Sequence, residues 1–327
     1  MGLQSATISG TTVIMSDFHL GGTTSTLNEP GKLHELMVEM QSIGSIETLV
    51  LLGDTWECWL ATPLDSSIAS QVFLKSISGL PGLKHLIFVA GNHDHCFYRM
   101  LVEKQFCGDL QNCEPKPFNY PMSVDSPTLK GLAAAPAGLD VNFSYPHVLF
   151  NHSRFGNILL DHGHYLDYFV PHWWATTQWL SRLVMHFSKK TPELRDIENN
   201  SYPFFEIIAA AIQSPQIGRL LRWLARLFGF TKKGVSPLRS RPMDPKLGKA
   251  IAKYMTEVNQ ELEDHPDIYI FGHTHEPGIL DEIEVDGKNV VAINTGGWVE
   301  GDSVYLLLTD KLYLRRLGQQ GPIAVWP

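Results

Sequence analysis

Five short polar segments of the sequence combine carboxylates, imidazoles and an amide at close spacing. They are Asp17-Phe18-His19, Gly53-Asp54, Gly91-Asn92-His93-Asp94, His162-Gly163-His164 and Gly272-His273-Thr274-His275. Mixed nitrogen and oxygen ligands suit Mn, Fe, Zn, Ni or Co rather than a thiolate-rich structural zinc. Two metal ions about 3.5–4 Å apart need at least one shared carboxylate and several imidazoles, and these segments are numerous enough to supply both.

Each polar segment follows an apolar run that predicts a buried strand. The runs are residues 12–15, 48–52, 85–90, 158–160 and 267–271. The order of strand, polar tip and helix is typical of α/β proteins, in which ligands gather at the carboxyl ends of buried strands. In extended backbone the side chains at i and i+2 share a face, so we expect Asp17 with His19, and His273 with His275, to enter one cleft.

Further elements follow from the same periodicities. Helical spacing covers residues 31–42 and 66–78, and residues 115–150 are rich in Pro, Gly and Ser, which predicts loops and short strands. A last strand at 290–294 leads into Thr295-Gly296-Gly297-Trp298, and a closing hairpin is expected over 303–317.

Residues 165–265 differ from the rest of the chain. They contain 14 of the 26 Lys and Arg residues but only 10 of the 34 Asp and Glu residues, together with clusters of aromatic side chains. We predict a catalytic domain made of residues 1–164 and 266–327, with 165–265 inserted as a helical cap. Because the whole chain carries a net charge of -8, it has no general basic field, and nucleic acid is not an expected partner.

The most basic part of this insert has the pattern of an amphipathic helix at residues 216–230. Arg219, Arg222 and Arg226 recur at helical spacing on one face, and Leu, Trp and Phe occupy most of the other positions. Three interpretations remain open. The helix packs on the core with a solvated Arg stripe, covers the site so that Arg219 and Arg222 hold phosphate, or makes a peripheral membrane contact.

Taken together, the five segments resemble the calcineurin-like metallophosphoesterase superfamily, whose pattern is DxH, GDxxD/E, GNHD/E, a later His-Gly and GHxH. The resemblance covers residues 12–164 and about 266–300. It implies a four-layer αββα sandwich of two mixed sheets, with metal ions at one edge. It also implies an enzyme in which a hydroxide bridging two divalent ions attacks phosphorus. Mn²⁺ is the favoured ion, with Fe, Zn, Ni or Co as alternatives.

The resemblance also implies a role for each matching residue. One metal ion would be held by Asp17, His19, Asp54 and His275, and the second by Asp54, Asn92, His162 and His273. His93 would be the general acid, and Glu57, at the fourth position of Gly53-Asp54-Thr55-Trp56-Glu57, would orient it. The weaker candidates for substrate binding are His164, His95, Arg219 and Arg222. His164 is also the alternative to His162 as the metal ligand, and His162 is favoured because the ligand of the family precedes the glycine.

The sequence determines the substrate less well than it determines the fold or the metal ligands. The insert is similar to the cap of UDP-2,3-diacylglucosamine diphosphatases, because Arg could hold a diphosphate and the aromatic residues an acyl chain. The chain departs from that group in having His93 where the group has Arg, and in the greater length of its insert. The expected partner is a phosphorylated small-molecule or lipid-linked substrate. A Ser/Thr phosphoprotein phosphatase and a non-catalytic scaffold are the alternatives.

The remaining composition indicates a cytoplasmic protein, with a peripheral membrane contact as one alternative. The four cysteines are too few for a disulfide framework in a chain of 327 residues. The N-terminal residues lack the basic and apolar regions of a signal peptide, and no run of 18 apolar residues is present.

Overall fold

Buried strands contain the apolar runs of the sequence, and helices alternate with them along the first third of the chain. The computed structural model describes residues 6–8, 10–61, 63–112, 122–125, 130–131, 135–169, 243, 245–260, 262 and 264–327. The strands in these ranges are β1 (Ala6–Ile8), β2 (Thr12–Met15), β3 (Thr48–Leu52), β4 (His85–Val89), β5 (Met122–Asp125), β6 (Asp140–Tyr145), β7 (His147–His152), β8 (Gly156–Asp161), β9 (Ile268–Phe271), β10 (Gly278–Val285), β11 (Lys288–Asn294), β12 (Val304–Leu308), β13 (Leu312–Arg316) and β14 (Ala324–Trp326). The helices there are α1 (Lys32–Ile43), α2 (Pro63–Ser78), α3 (Cys96–Asn112), α4 (Leu166–Phe169) and α5 (Pro245–Asn259), with a 3-10 helix at Thr26–Asn28.

The strands form two mixed sheets. One sheet has the order β14-β13-β12-β2-β3-β4-β6-β5, and the other has the order β1-β7-β8-β9-β11-β10. The strands β2, β3 and β4 are parallel neighbours in the first sheet, as β8, β9 and β11 are in the second. The polar segments that follow these strands therefore leave each sheet at one edge.

Three apolar clusters define four layers. The inner faces of the two sheets pack against each other through residues such as Ile14, Leu306 and Ile270. The outer face of the eight-stranded sheet packs on α1 and α2, and the outer face of the six-stranded sheet packs on α4 and α5. This arrangement confirms the predicted αββα sandwich.

Helix α5 lies inside the range predicted as the helical cap, yet it packs against the six-stranded sheet. Leu247, Ile251 and Tyr254 on one face of this helix are buried with Tyr269 and Phe271 of β9. We therefore place α5 in an outer layer of the sandwich. Most of the predicted cap, residues 170–242 and with them the 216–230 pattern, lies outside the described residues.

Several elements agree with the sequence periodicity and others do not follow from it. The closing hairpin is formed by β12 and β13, whereas α3, β10 and β14 are not predicted. Among the residues that the structure describes, none of the helices combines the length and apolarity needed to span a membrane.

Leu306 tests the contact between the two sheets, because it is fully buried and pairs with Ile14 across the β12–β2 ladder. We expect Leu306→Ala to lower the free energy of unfolding by about 2–5 kcal/mol, since it leaves a cavity between the sheets. Urea denaturation followed by circular dichroism measures the change. The matched control is Leu64→Ala on α2, where the leucine is 67% exposed; its effect should stay within about 0.5 kcal/mol. Equal losses in the two variants would contradict the proposed inner core.

Candidate metal centre and active site

The two sheets bring all five polar segments to one edge of the sandwich. Asp17 and His19 follow β2, and Asp54 follows β3. From the facing sheet, His162 follows β8 and His273 follows β9. Because neighbouring parallel strands end at the same edge, residues distant in sequence become neighbours there.

At this edge of the sandwich, imidazole nitrogens lie close to carboxylate oxygens. The His162 Nε2 atom lies 3.2 Å from Asp54 Oδ2, and the His19 Nε2 atom lies 3.7 Å from the same oxygen. The His275 Nε2 atom lies 3.2 Å from Asp17 Oδ1. Among the described residues, three groups have ligand atoms within 4.8 Å of one another, namely Asp17-His19-His275, Asp54-His162-His273 and His19-Glu57-His93, and the first two are the ones that concern the metal ions. These groups match the division between two metal ions that the resemblance implies, although the role of each residue as a ligand stays a prediction.

Each aspartate uses one oxygen to hold a neighbouring loop. Asp17 Oδ2 accepts a hydrogen bond from the backbone N–H of His273 at 3.0 Å, and Asp54 Oδ1 accepts one from the N–H of His93 at 2.8 Å. The second oxygen of each carboxylate faces the imidazoles instead. The loops and the centre are thus built from the same two side chains.

The tautomer of His162 indicates that a cation belongs at this centre. Its Nδ1 atom donates to the backbone carbonyl oxygen of Leu52 at 3.0 Å, which leaves the Nε2 lone pair facing Asp54 Oδ2 and Asn92 Oδ1, each at 3.2 Å. Three electron-rich atoms so close together require a positive charge between them. A metal ion or a proton on Nε2 can supply it.

The protonation of His162 follows from the same contacts. Although burial disfavours the imidazolium, the Asp54 and Asp17 carboxylates raise the pKa of His162 to about 10. A metal ion that binds Nε2 must displace this proton, so metal binding competes with protonation. His19 Nε2 is also buried and has no hydrogen-bond partner among the described residues, which fits a ligand atom directed at the same centre.

Backbone conformation corrects our prediction that the paired residues lie on one face of extended chain. The residues Asp17, His19, Asp54, His273 and His275 all have positive φ, between 48° and 67°. The left-handed region is uncommon for residues other than glycine, although Asp and His enter it more readily than most, and it costs about 1–3 kcal/mol each. The paired side chains therefore reach the centre through tight left-handed turns.

Two glycines permit the loops to approach each other. A Cβ atom on Gly91 would lie 2.3 Å from Asp54 Oδ1, and one on Gly272 would lie 2.4 Å from Asp17 Oδ2. No side chain fits at these distances, so the glycine in each motif provides room for a carboxylate as well as a turn.

Glu57 connects the metal centre to the predicted general acid. Its Oε1 atom lies 2.8 Å from His93 Nδ1, and its Oε2 atom lies 2.9 Å from His19 Nδ1. Oε1 also accepts the backbone N–H groups of Trp59 and Leu60. Although burial opposes ionisation, His93 and His19 hold the pKa of Glu57 well below its usual range. The sequence predicts the contact with His93 but not the one with His19.

Trp59 and Asp94 also support the site, although the sequence predicts no role for either residue. The indole of Trp59 stacks on His93, with ring centroids 4.4 Å apart. Asp94 accepts the backbone N–H groups of Thr55, Trp56 and Gly91, and so joins the loop after β3 to the loop after β4. The position of Asp94 at the end of the Gly91-Asn92-His93-Asp94 segment is the sequence feature that could have indicated this role.

The weaker substrate candidates occupy different places. His164 and His95 are buried, with His164 beside the Tyr165 ring at 4.4 Å and His95 beside the Tyr145 ring at 5.2 Å. Their part in substrate binding stays a prediction. Arg219 and Arg222 lie outside the described residues.

Most of the chain matches a known protein family. Residues 10–277 match the model of a family described as calcineurin-like phosphoesterase. Among solved structures, the chain is similar to a dimetal phosphatase from Danio rerio, at 14% identity over 97% of this chain and 98% of that chain, with a TM-score of 0.41. Among curated proteins, none matches the sequence.

Asp54→Asn tests whether the centre binds metal. We expect the variant to bind Mn²⁺ at least about 100-fold more weakly than the unmodified protein, because an outer-shell change alone costs 10–100-fold. Isothermal titration of metal-stripped protein gives the affinity, and repeating it in buffers of different ionisation enthalpy counts the protons released. The control is Asp140→Asn, whose carboxylate is half exposed beside His85. Equal affinities in the two variants would exclude Asp54 as a ligand.

Proposed function

The chain belongs to the calcineurin-like phosphoesterase family and is a metal-dependent hydrolase of phosphoric esters, and on this premise we propose that it cleaves a phosphodiester or pyrophosphate bond. The observation that carries the proposal is the meeting of two ligand groups at Asp54, whose Oδ2 atom lies 3.7 Å from His19 of one group and 3.2 Å from His162 of the other, with His93 held beside them. A site of this kind can bind the reacting phosphoryl group on one side and protonate the leaving oxygen on the other.

Two divalent ions fit the donor set. One would be held by Asp17, His19, Asp54 and His275, and the other by Asp54, Asn92, His162 and His273. Oxygen and imidazole donors without a thiolate suit Mn²⁺, Fe, Zn, Ni or Co, and of these we propose Mn²⁺. When bound, such a pair supplies an activated water and neutralises charge on the phosphoryl oxygens.

His93 is the proposed general acid. Its Nδ1 atom is engaged by Glu57, which leaves Nε2 for the leaving oxygen of the substrate. Although burial opposes protonation, the Asp54 and Glu57 carboxylates raise the pKa of His93 above its ordinary value. The stack with Trp59 restricts the ring to one orientation. These contacts favour the protonated ring and hold it in place.

The substrate class rests on the sequence of the insert. Residues 216–244, which precede α5, contain seven basic residues and one acidic residue, with Trp and Phe among them. Such a composition suits a diphosphate or phosphodiester joined to an apolar or nucleoside group. It also suits a peripheral contact with a lipid surface. We therefore propose a nucleotide- or lipid-linked substrate.

Hydrolysis of bis-p-nitrophenyl phosphate and p-nitrophenyl phosphate by Mn²⁺-loaded protein tests the proposal. We expect Mn²⁺-dependent turnover, preference for the diester, and loss of turnover in Asp54→Asn. Preference for the monoester would favour a phosphoprotein phosphatase. Metal binding without turnover of either ester or of a lipid-linked nucleotide diphosphate would favour a scaffold.

His93→Ala tests the general acid by comparing leaving groups. An acid matters most when the leaving oxygen is strongly basic, so the loss of kcat should be about 10²–10⁴-fold for a phenyl ester. It should be much smaller for a p-nitrophenyl ester. An equal loss with both leaving groups would contradict proton donation by His93.

Glu57→Gln tests how the acid is positioned and charged. Removal of the carboxylate lowers the pKa of His93, so its proton is lost at lower pH and the alkaline limb of the kcat profile should move toward lower pH. We expect kcat to fall about 10²-fold, as for other displaced catalytic groups. Glu57→Asp retains the charge and should keep the limb near its original pH. An unchanged profile in Glu57→Gln would exclude the proposed role.

A further inference from the structure

Asp161 is a buried carboxylate that takes no part in the proposed chemistry. It is the last residue of β8, it directly precedes His162, and it is 1% exposed. The layer around it, between the six-stranded sheet and α5, consists mainly of apolar side chains. A carboxylate in such a layer is costly unless hydrogen bonds satisfy its oxygens. Packing alone therefore gives no reason for an aspartate at this position.

Two tyrosines hold this carboxylate in place. The Tyr254 phenol of α5 donates a hydrogen bond to Asp161 Oδ2, and the Tyr269 phenol of β9 donates one to Asp161 Oδ1 at 2.8 Å. Both tyrosines are fully buried. Because each oxygen has its own donor, the carboxylate cannot turn without leaving a buried polar group unpaired. Asp161, Tyr254 and Tyr269, which we name the phenol–carboxylate cluster, thus join β8, β9 and α5 at one point.

The phenol–carboxylate cluster lies at the point where β8 ends and a predicted metal ligand follows. The backbone of His162 is held on one side by Asp161, which the two phenols anchor. On its other side, the His162 carbonyl oxygen accepts the backbone N–H of Gly272 at 3.0 Å. The imidazole itself donates to the Leu52 carbonyl oxygen of the facing sheet. Together these contacts determine the direction in which the Nε2 lone pair points.

We propose that Asp161, anchored by Tyr254 and Tyr269, is a positioning residue that aims His162 at its metal ion and so sets how tightly that ion is bound. It acts through the backbone of the residue that follows it and touches neither metal nor substrate. The assignment rests on the proposed function, since it requires the metal pair. Groups behind the ligands of a metal site orient those ligands, and their loss weakens metal binding.

The phenol–carboxylate cluster also connects the metal centre to the elements that flank the predicted insert. Helix α4 precedes residues 170–242 in the chain, and α5 follows them. The Phe169 ring of α4 lies 5.8 Å from the Tyr254 ring of α5, and both helices pack on the six-stranded sheet. A displacement of α5 would therefore be transmitted to His162 through the hydrogen bond between Tyr254 and Asp161.

Tyr254→Phe tests the positioning role, because it removes one donor from Asp161 and keeps the aromatic ring. Metal-stripped protein is titrated with Mn²⁺ in a calorimeter. We expect one of the two ions to bind about 10–100-fold more weakly, as for other changes behind a metal ligand, and the other ion to keep its affinity. Electron paramagnetic resonance distinguishes a single Mn²⁺ from a coupled pair. At a concentration that fills both sites of the unmodified protein, the variant should show single ions.

The matched control is Tyr305→Phe. Tyr305 is also fully buried, and its phenol donates to the Glu39 carboxylate on the outer side of the other sheet. This variant loses a hydrogen bond of the same kind away from the metal centre, so both Mn²⁺ affinities should stay unchanged. Urea denaturation of the metal-stripped proteins measures stability separately. If Tyr254→Phe does not fold, Tyr269→Phe removes the other donor, and the same weakening is expected.

The outcomes separate a positioning role from a structural one. Unchanged Mn²⁺ affinities in Tyr254→Phe, with or without a loss of stability, would overturn the assignment. An equal loss at both ions would also overturn it, since that result indicates a general loosening of the fold. Absence of Mn²⁺ binding by the unmodified protein would contradict the metal centre of the proposed function, and the positioning role with it.

Discussion

In the buried carboxylates of Asp17 and Asp54, one oxygen contacts loop backbone and the other faces imidazoles. The rest of the site depends on this arrangement. One oxygen of each anchors the N–H of His273 or His93, and the other faces the His ring nitrogens. Buried carboxylates are costly unless they are paired and hydrogen-bonded. The junction of the two sheets supplies both kinds of partner, because loops from both sheets end there. The same two carboxylates thus form part of the metal centre and hold its loops in place.

The surrounding sandwich allows this centre to keep a strained backbone. Five of the proposed ligand or bridging residues have positive φ, and such conformations persist only where the rest of the fold over-determines them. The strands that precede them are almost fully buried between the layers. Gly91 and Gly272 remove the side chains that would collide with the carboxylates. The buried strands therefore stabilise a positive-φ loop backbone that would not be stable in the loops alone.

Charge connects the separate parts of the site. Glu57 contacts His19 on one side and His93 on the other, so the metal centre and the acid share one carboxylate. Burial and the nearby Asp54 raise the pKa of Asp94 to about 7, while backbone N–H groups from two loops hold it in place. Metal ions and protons consequently compete for one network, and a change at any of these groups alters the others.

The sequence by itself determined which residue types would meet and at which strand ends, because each polar segment follows an apolar run and contains ligand side chains. The family resemblance that these segments carry also implied the αββα layers and the contact between Glu57 and His93. Only the tertiary structure decided how the ligands are aimed: left-handed turns replace the extended backbone that we assumed. It also decided the contact of Glu57 with His19 and the packing of α5 on the six-stranded sheet. Periodicity reports the face that a residue takes within its own element, whereas these features arise from contacts between elements brought together through space.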